Sequence, residues 1–354
     1  MVRSQLSVIV CFSILQGYDE AKPLPTPLNN SDAREKTTDY GPRTTDSIMH
    51  IFLTGATGFV GSYILPELIA QGHTARCLLR NPKATLAIED GAVERIKGDV
   101  TTPKSFAGTM RGCDAVLHLV GIIDEHPAKG ITFETLHAEA ARHVVDEAVE
   151  AGVPRFVLMS ANGARQNGVS RYQMTKWQAE EYVRQAGFDH WTILRPSLIF
   201  GDPGPDRPEF CTRLVQQLIK PFPILPLFGD GQYKMQPISV EEVAAAFVQA
   251  LTLKATHGQT YCVAGRERHP YTEILDRITR GFGLEPKPKM PSPLWLIRPA
   301  VQTLGAWGLL PISPDQFEML IEGNTCNSDA FYRDFDVTYK PFTPENLAYV
   351  KKWA

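Results

Sequence analysis

A strand that runs into three spaced glycines and then a helix, a repeated alternation of strand and helix patterns, and polar candidates gathered after the strand ends predict an α/β fold. The expected architecture is a Rossmann-like doubly wound parallel sheet with a smaller C-terminal substrate lobe. The 354 residues are ample for such a core, and 43% hydrophobic with 21% charged residues is ordinary for a globular chain. Residues 49–200 read as the nucleotide-binding part, with return elements from 232–265, and residues 201–354 mainly as the substrate lobe.

The glycine stretch is His50-Ile-Phe-Leu-Thr-Gly-Ala-Thr-Gly-Phe-Val-Gly61. Four mostly apolar residues form the strand, and Val60, Ile64, Leu65, Leu68 and Ile69 recur at helix spacing up to Gly72. Pro66 inside that helix predicts a local kink. Gly55 suits a sharp turn, Gly58 the close approach of a pyrophosphate, and Gly61 tight packing of helix on strand. Thr57, Phe59 and Val60 complete the cradle, where the helix N-terminus offers N–H donors and a partial positive charge. This is the context a dinucleotide fingerprint requires.

Thr74–Leu79 reads as the second strand, ending at Arg80 with Lys83 close behind. An acidic residue about 20 residues past the glycines usually takes the ribose 2′-hydroxyl. A cation there suits a 2′-phosphate, which favours NADP(H), with NAD(H) as the alternative. Val93–Lys97 gives a third strand, after which Asp99 is placed to accept from the adenine amino group or to cap a turn near Pro103, with Val100 beside it. Ala115–Val120 is a fourth strand ending at Gly121, where a cofactor could pass close to the backbone. A helical pattern covers about 132–151, and Arg155–Met159 is a fifth strand leading to Ser160 and Asn162. Right-handed crossovers bring all these loops to one sheet edge.

Tyr172 and Lys176 open the next helix and share a face at i and i+4. An ammonium near a phenol favours the phenolate, so Lys176 is expected to lower the Tyr172 pKa. Tyr172 would then exchange a proton with a hydroxyl or carbonyl group while hydride moves, and Lys176 would also anchor the nicotinamide ribose. Ser160 and Asn162 are the candidates to polarise the reacting group.

These motifs, Thr54-Gly-Ala-Thr-Gly-Phe-Val-Gly61, Gly98-Asp-Val100, Val157-Leu-Met-Ser160, Tyr172 with Lys176, and Leu194-Arg-Pro-Ser197, resemble the extended or atypical short-chain dehydrogenase/reductase superfamily in its NAD-dependent epimerase/dehydratase group. Met159-Ser-Ala-Asn-Gly-Ala164 and Pro314-Asp-Gln-Phe317 are similar to the branch of the nucleotide-binding accessory subunit of respiratory complex I and its bacterial relatives. The resemblance implies an oxidoreductase, epimerase or dehydratase. The branch implies a subunit that holds cofactor without turnover; a redox sensor is a third reading. It also implies that Arg195 and Pro196 pass near the nicotinamide. The superfamily's catalytic hydroxyl lies a residue or two into the loop after the fifth strand, whereas Ser160 sits at the strand end.

In the second half, His190–Leu194 reads as a sixth strand, 203–207 as a loop, and 209–219 as a helix lining a cleft. Tyr233–Ile238 reads as a short strand, Ser239 and Glu242 as a capping box, Thr260–Val263 as a strand and Tyr271–Phe282 as a helix. Arg207, Arg213 and Lys220 are candidates for a sugar nucleotide. The apolar run 293–310, with Trp295, Leu296 and Trp307, reads as a buried helix of the lobe, a membrane-interface element or a wall for a quinone or isoprenoid tail.

A net charge of −3 points to no nucleic-acid partner. Six scattered cysteines without CxxC or a His cluster predict buried thiols in a reducing compartment, with neither disulfides nor a metal site. No apolar run reaches membrane-spanning length, so no transmembrane helix is expected; the expected location is cytoplasmic, with peripheral attachment to a membrane or a respiratory complex as a further option. Residues 6–15 have the length of a signal-peptide core but lack a cleavage site after them, and residues 17–48 read as disordered. Met49 directly precedes the first strand, so residues 1–48 are either a targeting or tethering extension or an over-extended reading frame.

Overall fold

The computed structural model describes residues 48–205, 207, 209–305, 310 and 312–353. The N-terminal stretch discussed above, apart from Ile48, and Trp307 lie outside the described residues.

Seven parallel strands form the central sheet: β1 (His50–Thr54), β2 (Thr74–Leu79), β3 (Val93–Lys97), β4 (Ala115–His118), β5 (Arg155–Met159), β6 (His190–Pro196) and β7 (Gln259–Val263). Their spatial order is β3-β2-β1-β4-β5-β6-β7. The order reverses beside β1, and ligands in open α/β sheets bind at that point, outside the strand C-termini. Register runs Ile51 opposite both Ala75 and Ala115, and Thr54 opposite both Leu78 and His118.

Period-two alternation splits the strand residues between two cores. Ile51, Leu53 and Leu117 face the helices α1 (Gly61–Ala70) and α4 (Val240–Gln249), meeting Ile64, Leu68, Val243 and Phe247. Phe52, Val116, Phe156 and Leu158 face α2 (Ala140–Glu150) and α3 (Arg171–Gln185), meeting Val144, Val145 and Val183. Burial on both faces explains why the central strands β1, β4 and β5 are mostly apolar runs. A third apolar cluster joins Phe200, Val215, Leu225 and Leu227 to Ile274 and Ile278 of α5 (Tyr271–Phe282), and to Phe342 and Leu347.

Several elements differ from the sequence expectation. The fourth strand stops at His118, two residues early, although the Leu119 N–H still donates to the Thr54 carbonyl of β1 at 3.3 Å. The 132–151 helix opens with a π-helical segment, Glu134–Glu139, before α2. The sixth strand runs on to Pro196. The 233–238 strand is two short pieces, Lys234–Met235 and Ile238–Ser239. Pro66 lies inside α1, which runs from Gly61 to Ala70. The helix Leu294–Ala300 has no buried residue, and Trp295 is 77% exposed, so it is a surface element.

The cysteine reading needs a correction. Cys262 at the end of β7 is disulfide-bonded to Cys326, while Cys77, Cys113 and Cys211 are buried free thiols. A sequence separation of 64 residues, with no spacing motif, hid that pair. Among the described residues no helix is long and apolar enough to cross a membrane, and no cluster of side chains could hold a metal ion.

Candidate functional site

The turn between β1 and α1 is shaped by its glycines. Gly55 has φ +82, a left-handed conformation that disfavours other residues, and its carbonyl accepts from the Gly58 N–H at 3.0 Å. A Cβ on Gly61 would stand 2.2 Å from the Gly55 oxygen and 2.9 Å from the Ala56 Cα, so only glycine lets α1 start this close to β1. At Gly58 a Cβ would meet only the Gly55 oxygen, at 3.2 Å, and the outer side of the turn is exposed. The N–H groups of Thr57, Phe59 and Val60 have no backbone acceptor among the described residues. These three donors at a helix N-terminus, beside a surface that a side chain would narrow, fit a pyrophosphate.

Arg80 follows β2 directly, is exposed, and makes no ion pair or hydrogen bond among the described residues. Asp99 follows β3; its Oδ1 accepts from the Thr101 N–H at 2.9 Å and the Thr101 hydroxyl at 2.8 Å, which makes it a turn-forming residue. Val100 is buried in the second core, and its carbonyl meets His143 Nδ1 at 2.9 Å.

Tyr172 and Lys176 lie in the first turns of α3, whose N-terminus is capped by the Ser170 hydroxyl accepting from the Gln173 N–H. The Lys176 amine is buried between the ends of β4 and β5, where it donates to the Met159 carbonyl at 3.2 Å and the Val120 carbonyl at 3.5 Å. A Cβ on Gly121 would lie 2.8 Å from that amine, so Gly121 leaves the room that Lys176 fills. Burial lowers the lysine from 10.5 to about 8, and nearby Glu180 resists the shift. The Tyr172 ring packs edge-on against His137 at 5.1 Å and Phe133 at 5.5 Å. Burial raises its phenol to about 12, the reverse of the expected lowering, because desolvation outweighs any help from Lys176. Tyr172 is therefore protonated at neutral pH.

Ser160 and Asn162 are turned to other work. The buried Ser160 hydroxyl donates to Glu180 Oε1 at 2.5 Å, and the Asn162 amide donates to Asn324 at 2.7 Å. Arg195 does not reach out from β6; its Nε and a terminal nitrogen donate to the two Glu180 oxygens at 2.7 and 2.6 Å. Arg184 adds a third cationic contact at 2.7 Å, so the fully buried Glu180 is clamped by two guanidiniums and one hydroxyl. Pro196 is buried, with its carbonyl accepting from the Asn162 N–H at 2.8 Å. Of the candidates, the glycine turn, Arg80, Asp99, Gly121, Tyr172 and Lys176 share one sheet edge. The side chains of Arg195, Ser160 and Asn162 are engaged elsewhere.

Sequence reasoning missed three buried groups around Lys176. His118 bonds Thr54 through Nδ1 at 2.8 Å and leaves Nε2 without a partner. Burial, and then Lys176, lower it to about 3, so it is neutral. His137 is neutral for the same reasons and links the Ile122 backbone to Thr175. Glu180 had a visible signal, since Tyr172, Lys176 and Glu180 recur every fourth residue on one helix face. Neither histidine lies in a motif.

The NAD(P)H-binding family matches residues 55–253, more than half of the chain. A ceramide reductase of Caulobacter vibrioides is 29% identical over 274 residues, covering 77% of this chain and 83% of that protein. The mitochondrial NADH-ubiquinone oxidoreductase 40 kDa subunit of Neurospora crassa is 30% identical over 230 residues, covering 64% of this chain. The chain spans only 58% of that subunit's length. The UDP-glucuronic acid 4-epimerase of Bacillus cereus, solved with UDP-glucuronic acid and NAD, superposes with a TM-score of 0.63 over 86% of this chain and 98% of that one. At 17% identity that likeness establishes the fold alone. With its reversed strand order and glycine-shaped turn, the chain belongs to the NAD(P)H-binding family, in the extended short-chain dehydrogenase/reductase-like superfamily.

Proposed function

We propose that the protein is an NADP(H)-dependent oxidoreductase acting on a hydroxyl or carbonyl group. The observation that carries this reading is the Tyr172–Lys176 pair, held on one helix face beside Gly121 at the same sheet edge as the glycine turn. The N–H groups of Thr57, Phe59 and Val60 would hold the pyrophosphate, and Lys176 the nicotinamide ribose. When bound, the cofactor supplies or accepts the hydride. Tyr172 carries its proton at neutral pH, so it acts as the acid that protonates a carbonyl oxygen, and as the base in the reverse direction.

Arg80, exposed and without an acidic partner, supports a 2′-phosphate and so NADP(H) over NAD(H). The ceramide reductase relative favours a lipid-like substrate over a sugar nucleotide. Exposed Trp295 and Leu296 favour peripheral contact with a membrane.

A second reading has a specific observation behind it. Ser160 and Asn162, the groups expected to polarise a substrate, are spent on Glu180 and Asn324, as suits an accessory subunit of a respiratory complex that holds cofactor without turnover. Tyr172→Phe separates the two. For the enzyme, NADPH oxidation with a lipid carbonyl or quinone panel is lost while NADPH affinity stays unchanged. For the subunit, the wild-type chain binds NADPH and oxidises it with no member of the panel.

A further inference from the structure

Beyond the nucleotide edge, the segment after β7 builds an open polar cavity of about 580 Å³, lined by the buried Gln236 and Ser328 and by the exposed Arg266, Arg268 and Asn327 among others. None of its lining residues belongs to the glycine turn or to the Tyr172–Lys176 pair. Its floor is fixed. A Cβ on Gly265 would stand 2.0 Å from the Pro237 carbonyl oxygen, so the chain runs hard against 236–237 there. Gln236 is 3% exposed; it donates to the Gly265 carbonyl at 2.6 Å and accepts from the Cys326 N–H at 3.0 Å. The Cys262–Cys326 disulfide ties the two walls together.

The charges along this segment part in opposite directions. Glu267 turns to His269 at 3.2 Å and Arg277 at 3.9 Å, away from the cavity. Its neighbours line the cavity and are held by neutral groups. The Arg266 guanidinium lies over the Tyr332 ring at 4.0 Å, and Arg268 donates to the Cys326 carbonyl at 2.9 Å and to Gln236 Oε1 at 3.3 Å. Neither has a carboxylate partner among the described residues, so their charge is not neutralised within the chain. The third arginine of the cavity, Arg333, is neutralised by Asp334. Asp329 also lines the cavity and is the acid there that opposes a bound anion.

We infer that this cavity is a second binding site, for a phosphate-bearing ligand gripped by Arg266 and Arg268. Two guanidiniums set in place by an aromatic face and by carbonyls keep most of their N–H forks unspent, and forks of that geometry match phosphate oxygens. The Asn327 side-chain oxygen is used by the Asp329 N–H at 2.8 Å, which leaves its amide N–H groups to donate beside them. The volume exceeds that of phosphate alone and admits the rest of a phosphate ester.

The test uses the full chain, inorganic pyrophosphate and isothermal titration, with and without saturating NADPH. The expected result is saturable pyrophosphate binding that persists under NADPH and weakens by about tenfold or more in Arg266→Gln and in Arg268→Gln, as for loss of a charge-assisted hydrogen bond. NADPH affinity should be unchanged in both variants, which also shows that they fold. Binding that NADPH abolishes, binding that survives both substitutions, or no binding overturns the proposal. A flotation assay with vesicles containing phosphatidic acid identifies the source. Arginine-dependent flotation assigns a lipid headgroup, and pyrophosphate binding without flotation assigns a dissolved phosphate ester.

Discussion

Alanine at Gly58 and at Gly61 separates what the glycine turn does for the fold from what it does for the cofactor. A Cβ at Gly61 would stand 2.2 Å from a backbone oxygen and 2.9 Å from a backbone Cα. Relief requires β1 and α1 to move apart by more than 1 Å, roughly, which is an overpacking cost of about 3 kcal/mol or more. At Gly58 the one neighbour is an oxygen at 3.2 Å, which a shift of a few tenths of an ångström relieves. That strain, offset by the lower entropy of an unfolded alanine, leaves a net cost within about 1 kcal/mol. Gly58→Ala still crowds the surface beside the free N–H groups, so it should weaken NADPH binding by about 30-fold or more, the equivalent of a charge-assisted hydrogen bond. The assays are urea unfolding, read as a midpoint change at constant slope, and NADPH fluorescence titration. Wild-type NADPH affinity in Gly58→Ala, or wild-type stability in Gly61→Ala, would refute the reasoning.

Two further predictions concern buried charge. Lys176 falls from 10.5 to about 8 on burial, so the native state binds fewer protons than the unfolded chain between those values, and stability rises with pH across that window. Lys176→Met should therefore be more stable than the wild type at pH 7, by at most about 3 kcal/mol, with the gain gone by about pH 10.5; a lower urea midpoint at pH 7 contradicts this. Glu209 caps the helix at Phe210 and is held by the Cys211 and Thr212 N–H groups, yet burial raises it from 4.5 to about 7. Its contribution is complete below pH 4.5 and is lost as pH rises through about 7, amounting to about 3 kcal/mol at most. Glu209→Gln should flatten the fall in thermal midpoint between about pH 4.5 and pH 7, and an unchanged slope would count against it.

The sheet was legible because it depends on local pattern. All seven sheet strands end within two residues of their expected ends, since strand patterns bounded by Gly, Pro and charge leave little freedom. The glycine turn and the Tyr172–Lys176 spacing were equally local. What the sequence hid is set by distant partners. Glu180 collects Ser160, Arg184 and Arg195 from two strands and its own helix, and no spacing rule announces that Arg195 folds inward. The raised Tyr172 phenol shows the same limit, because burial depends on Phe133 and His137, which approach from another helix. Cys262 and Cys326 meet only once β7 and the C-terminal segment are in place.

The most direct test of the central claim is native mass spectrometry of the purified chain, before and after addition of NADPH or NADH in turn. The account predicts one NADP(H) per chain, retained more strongly than NAD(H), with Arg80→Glu reversing the preference. Failure to bind either cofactor would contradict the nucleotide site, and an NADH preference in the wild type would contradict the role given to Arg80.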